Sequence, residues 1–213
     1  MLFLLTGDVQ IGKTRWLMRV INELEESGVL VSGVLNPGVW RHRCPQEIEQ
    51  AGETDACGEY EKLGIDAMLL PGRERFPFAR PATWDAELDD PQGVNQSRKA
   101  KLAWDISEEA LATINAHFDM LQAQAASNAK PGLAVIDELG RLELDFDGGL
   151  TSALHMVDAG PTEAFPHVIA VVREWLLDAA HQRFGEAWHG DVVDIVPDET
   201  SVQTLFEALA SLK

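Results

Sequence analysis

The chain has 213 residues, enough for one α/β domain with a full core, and its composition is that of an ordinary globular protein. Its 17 basic and 35 acidic residues give a formal net charge of −18, which argues against nucleic acid or an anionic membrane as the main partner. Nothing approaches a transmembrane span, and the four apolar residues at 2–5 are too few for a signal peptide, so we expect a cytoplasmic protein. The two cysteines, Cys44 and Cys57, are spaced poorly for zinc and favour reduced thiols.

The first motif follows the short apolar strand at residues 2–5. Gly7, Gly12, Lys13 and Thr14 match the pattern G-x-x-x-x-G-K-[ST], and apolar residues at helical spacing come after it. A strand–loop–helix unit of this kind presents unpaired N–H groups and the positive end of a helix dipole to phosphates. The predicted nucleotide-binding residues are Gly7, Asp8, Val9, Gln10, Ile11, Gly12, Lys13, Thr14 and Arg15.

An irregular insertion at about 36–104 is predicted within a single domain of residues 1–213. It follows a strand at 29–35, and its first part is predicted to be a loop or loose hairpin whose second arm is the alternating stretch 65–70. The remainder, residues 71–104, carries six Lys/Arg against five acids, and its prolines exclude a long helix. We predict for it a lid over phosphates, an interface or a solvated loop.

Further along the chain, apolar strands alternate with helices. Strands are predicted at 133–136, 168–172 and 192–196, and the capping sequences Asp105–Glu108 and Thr200–Gln203 are predicted to begin helices. Strands buried on both faces and alternating with helices predict a doubly wound α/β fold with a mostly parallel sheet and P-loop architecture. Ligands in such folds bind outside the carboxyl ends of the strands.

Three charged residues stand directly after these strands, at the sheet edge where the phosphate loop is expected: Asp137, Glu138 and Arg173. Lys13 would neutralise the β- and γ-phosphate oxygens, while Thr14 and Asp137 would bind Mg²⁺. Glu138 would hold and polarise a water in line with the γ-phosphate, and Arg173 would contact that phosphate. Glu138, Lys13 and Arg173 are therefore the candidate catalytic residues.

The stretch Asp137–Leu144 has the sequence D-E-L-G-R-L-E-L, and its Glu143 is predicted to bind metal, position water or face solvent. This stretch resembles the D-E-[IL]-G-x-[ML]-E-[LF] motif of the thermophilic-type nucleoside-triphosphatases, small P-loop enzymes that hydrolyse ATP, GTP and other nucleoside triphosphates. Gly33–Leu35 with Val39–Arg41, and Lys62–Ile65, are similar to further stretches of that family.

The resemblance covers the chain apart from about residues 71–104. It implies that Lys13, Thr14 and Asp137 bind phosphate and Mg²⁺, that Glu138 assists the attacking water, and that ATP or GTP is the substrate.

This sequence departs from the family pattern at four places. Val9-Gln10 replace a usual proline and glycine, and Arg15 replaces a second threonine. Asp198-Glu199 stand in place of an Asn-Arg pair associated with the nucleotide base, and residues 71–104 are longer than the family's link. Triphosphate binding is expected to tolerate these changes better than base preference or rate.

The leading hypothesis is a Mg²⁺-dependent nucleoside-triphosphatase that releases a diphosphate and phosphate. One alternative is a small-molecule kinase, acting on a nucleoside or metabolite, whose acceptor lies under residues 71–104. Another is a nucleotide-dependent switch with slow turnover, using Trp84, Trp104 and the basic cluster as an interface. Base preference, pathway, oligomeric state and any protein partner are left open by the sequence.

Overall fold

The computed structural model describes residues 1–8, 11–44, 59–82, 95–125 and 130–212. Within these ranges, nine strands form one sheet. The strands are β1 (Leu2–Leu5), β2 (Val31–Leu35), β3 (Gly38–His42), β4 (Tyr60–Leu70), β5 (Glu74–Pro81), β6 (Trp104–Ile106), β7 (Leu133–Leu139), β8 (His167–Val172) and β9 (Val192–Ile195). The α-helices are α1 (Lys13–Glu26), α2 (Gln96–Lys99), α3 (Glu108–Ala125), α4 (Arg141–Phe146), α5 (Thr151–Asp158), α6 (Leu177–Phe184) and α7 (Glu199–Ala208), with 3₁₀ turns at Glu174–Leu176 and Ala210–Leu212.

The sheet has a parallel part and an antiparallel part. Its strand order is β6-β5-β4-β2-β7-β8-β1-β9, and β3 pairs with β4 off this path. The five strands β2, β7, β8, β1 and β9 run parallel, joined by crossovers that contain helices. The antiparallel pairs all involve β3 to β6, which come from the inserted segment. The predicted α/β fold class, with a hairpin insertion on a doubly wound sheet, is confirmed.

Side chains from the central strands are buried on both faces of the sheet. In β1, Leu2 and Leu4 join the core beneath α3, α5 and α6, whereas Phe3 and Leu5 join the core beneath α1 and α7. Successive strand residues point to opposite faces, so a strand covered on both sides must be apolar at every position. This explains why β1, residues 133–136 of β7 and residues 168–172 of β8 are unbroken apolar runs.

Gly33 marks the place where the two parts of the sheet meet. It lies in β2, paired with Val135 of β7 on one side and with Leu70 of β4 on the other. Its φ is +127°, and a Cβ added there would lie 2.0 Å from the Val135 carbonyl oxygen. Only glycine permits this backbone conformation and this close approach.

The inserted segment is more regular than the sequence indicates. The stretch predicted as irregular contains β5, which pairs with β4 and places Phe78 in the core. Pro77 is tolerated because it lies opposite Asp66, where the register of the β4–β5 ladder shifts and regular pairing is interrupted. The choice between lid, interface and loop for residues 71–104 falls in part on 83–94, outside the described residues.

Two helix starts differ from their predicted capping sequences. Ser107 caps α3, because its Oγ accepts a hydrogen bond from the Ala110 N–H at 3.2 Å. Asp105 instead belongs to β6 and pairs with Arg80 at 3.0 Å. At the start of α7, Asp198 is the N-cap, and its Oδ1 accepts from the N–H three residues along at 2.8 Å. Sequence spacing alone does not distinguish adjacent polar residues that can each fill a cap.

Candidate functional site

The phosphate loop connects β1 to α1 at the carboxyl edge of the parallel strands. Gly12 is the residue that precedes α1 and has φ 92°, in the left-handed region that glycine adopts readily. Gly7 has φ 129°, and a Cβ there would lie 2.5 Å from the Ile11 side chain. The described loop residues Ile11 and Gly12 lead directly into the N-terminus of α1, where a phosphate site is expected. The predicted loop residues Val9 and Gln10 lie outside the described residues.

Lys13 folds back over the loop. Its Nζ donates hydrogen bonds to the Gly7 carbonyl at 2.7 Å and to the Asp8 carbonyl at 2.8 Å. Partial burial lowers the pKa of Lys13, and the nearby Arg173 lowers it further, while Glu138 and other acids oppose the shift. The Lys13 ammonium is therefore close enough to Arg173 and Glu138 for their charges to affect it. Arg15, also predicted to bind nucleotide, is exposed on the first turn of α1.

Thr14 and Asp137 meet across the loop. The Thr14 hydroxyl donates to Asp137 Oδ1 at 3.2 Å, and the Asn36 backbone N–H donates to Oδ2 at 2.9 Å. Burial raises the pKa of Asp137 to about 7, and the hydrogen bonds from Asn36 and Thr14 oppose that effect. Hydroxyl and carboxylate oxygens are the ligands that Mg²⁺ prefers, so this pair fits the predicted metal. These two residues would hold the ion, which supplies charge neutralisation to the phosphate oxygens when bound.

Glu138 and Asp137 are neighbours on β7, and their side chains point in opposite directions. Asp137 is buried against α1, whereas Glu138 is partly exposed and accepts a hydrogen bond from Arg173 Nη2 at 3.1 Å. Arg173 comes directly after β8, the neighbour of β7 in the sheet. The structure therefore brings Glu138, Arg173 and Lys13 together at one edge, as the sequence predicts, and adds the ion pair. Their catalytic roles stay predictions.

Glu143 supports the local backbone and does not face solvent. It is 5% exposed, and its carboxylate accepts from the Gly140 N–H at 2.8 Å and from the Leu150 N–H at 2.9 Å. Burial raises the pKa of Glu143 to about 7, against the effect of those hydrogen bonds. Of the roles predicted for Glu143, facing solvent is therefore wrong. The carboxylate fastens the start of α4 to the start of α5.

Lys62, in β4, lies near the candidate site and is not among the predicted site residues. Its Nζ lies 4.7 Å from the ring centroid of Trp104 and 5.8 Å from that of Trp40, within the range of cation–π attraction. Its positive charge also favours the ionised form of Asp137 and lowers the pKa of that carboxyl. Lys62 thus brings a second lysine toward the phosphate loop from β4. The sequence predicts the second arm of this hairpin only from residue 65, so it does not place Lys62 within β4.

The segment after β9 has no basic residue in place of the family's base-associated pair. The Asp198 side chain caps α7, and its carbonyl accepts from Trp16 Nε1 at 3.2 Å. Glu199 forms an exposed ion pair with Arg19 at 2.7 Å. Asp198 and Glu199 therefore make structural contacts with α7 and α1.

A cavity of about 230 Å³ lies beside the Glu138–Arg173 pair, on the side of the inserted segment. Its walls come from β4, β5, the approach to β6, and the stretch from Glu138 to Leu150. Among the described residues of the phosphate loop, none lines it. Glu138 and Arg173 consequently separate this cavity from the phosphate loop.

The fold and the phosphate loop define a class. A loop of this sequence between the first strand and first helix of a parallel sheet, with an acid near the carboxyl end of a separate strand, is the architecture of the P-loop NTPases. A solution structure of a human cancer-related nucleoside triphosphatase has 18% sequence identity and a TM-score of 0.57, covering 99% of this chain and 95% of that chain. The crystal structure of THEP1 from the hyperthermophile Aquifex aeolicus has 13% identity and a TM-score of 0.57, covering 100% and 99%.

At these identities the likeness establishes the fold, which agrees with the resemblance drawn from the sequence motifs. A scan against models of protein families finds no match, and a search of curated proteins finds none either. Across the described ranges, every helix is too short or too polar to cross a bilayer.

Proposed function

We propose that the protein is a Mg²⁺-dependent nucleoside-triphosphatase that hydrolyses ATP- or GTP-type nucleotides to the diphosphate and phosphate. The observation that carries this proposal is the position of Glu138. Its carboxylate stands at the carboxyl edge of the sheet, beside the Thr14–Asp137 pair and within the electrostatic influence of Lys13. A partly exposed acid next to a phosphate site can hold a water molecule for attack.

Each residue has a defined task in this proposal. The amides at the start of α1 and the Lys13 ammonium bind the phosphate oxygens, and Thr14 with Asp137 holds the metal. Glu138 orients the water and accepts its proton as the water oxygen attacks the γ-phosphorus. The bond from that phosphorus to the β–γ bridging oxygen breaks, and the diphosphate leaves with the electron pair.

Arg173 is positioned to restrain Glu138. Its guanidinium donates a hydrogen bond to Glu138 Oε1 at 3.1 Å. A γ-phosphate near Lys13 would offer this guanidinium a second anion, because the two cations already influence each other. Arg173 would then bind phosphate and free the carboxylate of Glu138 for water. The proposal thus gives both residues a role in the same step.

Phosphate release from a panel of nucleoside triphosphates with Mg²⁺ tests the proposal. Lys13→Ala should abolish release, because it removes the charge opposite the β- and γ-phosphates. Lys130→Ala is the matched control, since Lys130 is an exposed lysine just before β7, at the opposite edge of the sheet. Equal turnover by the two variants would refute the site assignment.

Glu138→Gln should retain nucleotide binding and slow hydrolysis by roughly a hundredfold or more, the usual scale for a positioned acid–base group. Its fold should be nearly as stable as before, because an exposed ion pair contributes only about 0–1 kcal/mol. Glu163→Gln is the control, in an exposed loop before β8. Loss of nucleotide binding in Glu138→Gln would contradict the proposed role.

One observation favours the alternative of a small-molecule kinase: the cavity beside Glu138 offers a place for an acceptor. The same assay separates the two functions. Phosphate release without any added acceptor supports the hydrolase. Nucleotide consumption that requires a hydroxyl compound supports the kinase and overturns hydrolysis as the main reaction.

A further inference from the structure

The cavity beside Glu138 has the properties of a second ligand site. Its inner surface is apolar, formed by Ile65 and Phe78 from the inserted strands and by Leu142 and Leu150 from the other side. Trp104 adds an aromatic side chain at the start of β6. Small-molecule sites combine apolar and aromatic walls with a few polar groups that fix the ligand's orientation.

Its charged groups are mostly cationic, although the chain as a whole is strongly acidic. Lys101, Arg141 and Arg173 line the cavity, together with the acids Glu138 and Glu143. Both carboxylates already accept hydrogen bonds. Lys101 is exposed and makes no ion pair with another described residue. Arg173 is paired with Glu138, and Arg141 with Asp145 at 3.1 Å, so Lys101 is the cation that gives this cavity its attraction for an anion.

The volume limits the size of the ligand. A cavity of about 150 Å³ lined by apolar side chains holds one benzene molecule. This cavity, at about 230 Å³, is larger by about half, enough for a ring with one polar substituent. The enclosed space therefore suits a ligand smaller than a complete nucleotide.

We propose that this cavity binds a small aromatic carboxylate, with its ring against Phe78 and Trp104 and its anionic group toward Lys101 and Arg141. The ring would replace water on the apolar walls, and the carboxylate would receive charge-assisted hydrogen bonds. The ligand would lie across the Glu138–Arg173 pair from the phosphate loop. Binding of this ligand requires no nucleotide turnover, so its test is independent of the proposed hydrolysis.

Benzoate is the probe, and ligand-observed NMR titration without nucleotide is the measurement. A ligand of this size should bind with a Kd on the order of 1 mM or tighter. Benzamide, which has the same shape without the charge, should bind at least about tenfold more weakly. Acetate, which has the charge without the ring, should show no saturable binding because it has no apolar surface to bury.

Two variants locate the probe in the cavity. Lys101→Gln should weaken benzoate binding by about tenfold, whereas Lys99→Gln, a nearby lysine that does not line the cavity, should leave it unchanged. Ala79→Leu should block binding because Ala79 lines the cavity from β5; Ala82→Leu is its control outside the cavity. Circular dichroism checks that each variant is folded, and the Lys101 comparison decides the matter if Ala79→Leu is not.

The proposal is overturned if benzoate does not bind, or if benzamide or acetate binds as tightly as benzoate. Benzoate binding that is unchanged in Lys101→Gln, or in a folded Ala79→Leu variant, would place the probe elsewhere and also overturn it. Failure of phosphate release in the nucleotide assay would leave these results untouched, because no nucleotide is present in the titration.

Discussion

Replacement of Glu143 by glutamine tests whether this buried acid has a structural role and a raised pKa in the fold. Glu143 is buried, and each of its two carboxylate oxygens accepts one backbone hydrogen bond, from Gly140 and from Leu150. Glutamine keeps the shape and has one acceptor oxygen and one NH₂ group, so it resembles the protonated acid, which carries O–H on one oxygen, more closely than it resembles the carboxylate.

The stability that Glu143 contributes is expected to depend on pH. Burial raises the pKa of Glu143 from its ordinary value of 4.5 to about 7 in the folded protein. The folded state therefore holds a proton that the unfolded state has already released, and stability from this group is lost as pH rises toward 7. Between pH 5 and pH 8 the unfolding free energy should fall by about 2–3 kcal/mol from this group alone. A variant with glutamine at this position should lack that fall, because glutamine does not titrate.

Urea unfolding of both proteins at pH 5 and pH 8, without nucleotide, measures this difference. Glu143→Gln should be close in stability to the unmodified protein at pH 5, where Glu143 is protonated in the fold, and more stable by about 2–3 kcal/mol at pH 8, where the buried carboxyl is ionised. Glu163→Gln, in an exposed loop, is the control and should follow the unmodified protein at both values. A constant difference between pH 5 and pH 8 would refute the reasoning, because Glu143 would then have no shifted pKa in the fold.

The remaining predictions concern Gly33 and Lys62. Gly33→Ala should lower the unfolding free energy, measured by urea unfolding, by at least about 3 kcal/mol, because a Cβ would lie 2.0 Å from the Val135 carbonyl oxygen. Gly72→Ala is the control and should change the unfolding free energy little, because there is open space around Gly72. Equal stability of these two variants would contradict the proposed close approach. Lys62→Met should lower kcat/KM for the Mg²⁺–nucleotide by about tenfold, and Lys62→Arg should restore most of it, since the charge near Asp137 and the aromatic contacts return. A kcat/KM of Lys62→Arg no higher than that of Lys62→Met would show that the charge of Lys62 does not contribute to the reaction.

The parts of the site that depend on local sequence are the parts that could be predicted. The phosphate loop is one continuous motif, and Asp137 directly follows a run of apolar residues, so both can be placed at the sheet edge from their order in the chain. The different surroundings of Asp137 and Glu138 also follow from the strand. Neighbouring strand residues point to opposite faces of the sheet, so these two acids are expected to have different tasks.

The contacts that could not be predicted join distant parts of the chain. Lys62 reaches the site through a strand that the sequence indicates only in part, and its aromatic neighbours are Trp40 and Trp104. Glu143 has the residue type and the position of a site acid, but the backbone groups that it binds become its neighbours only when α4 and α5 form. Burial decides between a catalytic and a structural acid, and burial is a property of the folded chain.

The hydrogen bonds of Lys13 have a consequence for phosphate binding. Its ammonium donates to the carbonyls of Gly7 and Asp8, on the near side of the phosphate loop. An ammonium has three N–H donors, so the third remains for a phosphate oxygen while the two carbonyls keep their bonds. The backbone of the loop thus fixes the direction of the side chain that is proposed to bind phosphate. A change that removes these two bonds would weaken binding of the triphosphate without removing any contact to the nucleotide, because the lysine would then have to be ordered on binding.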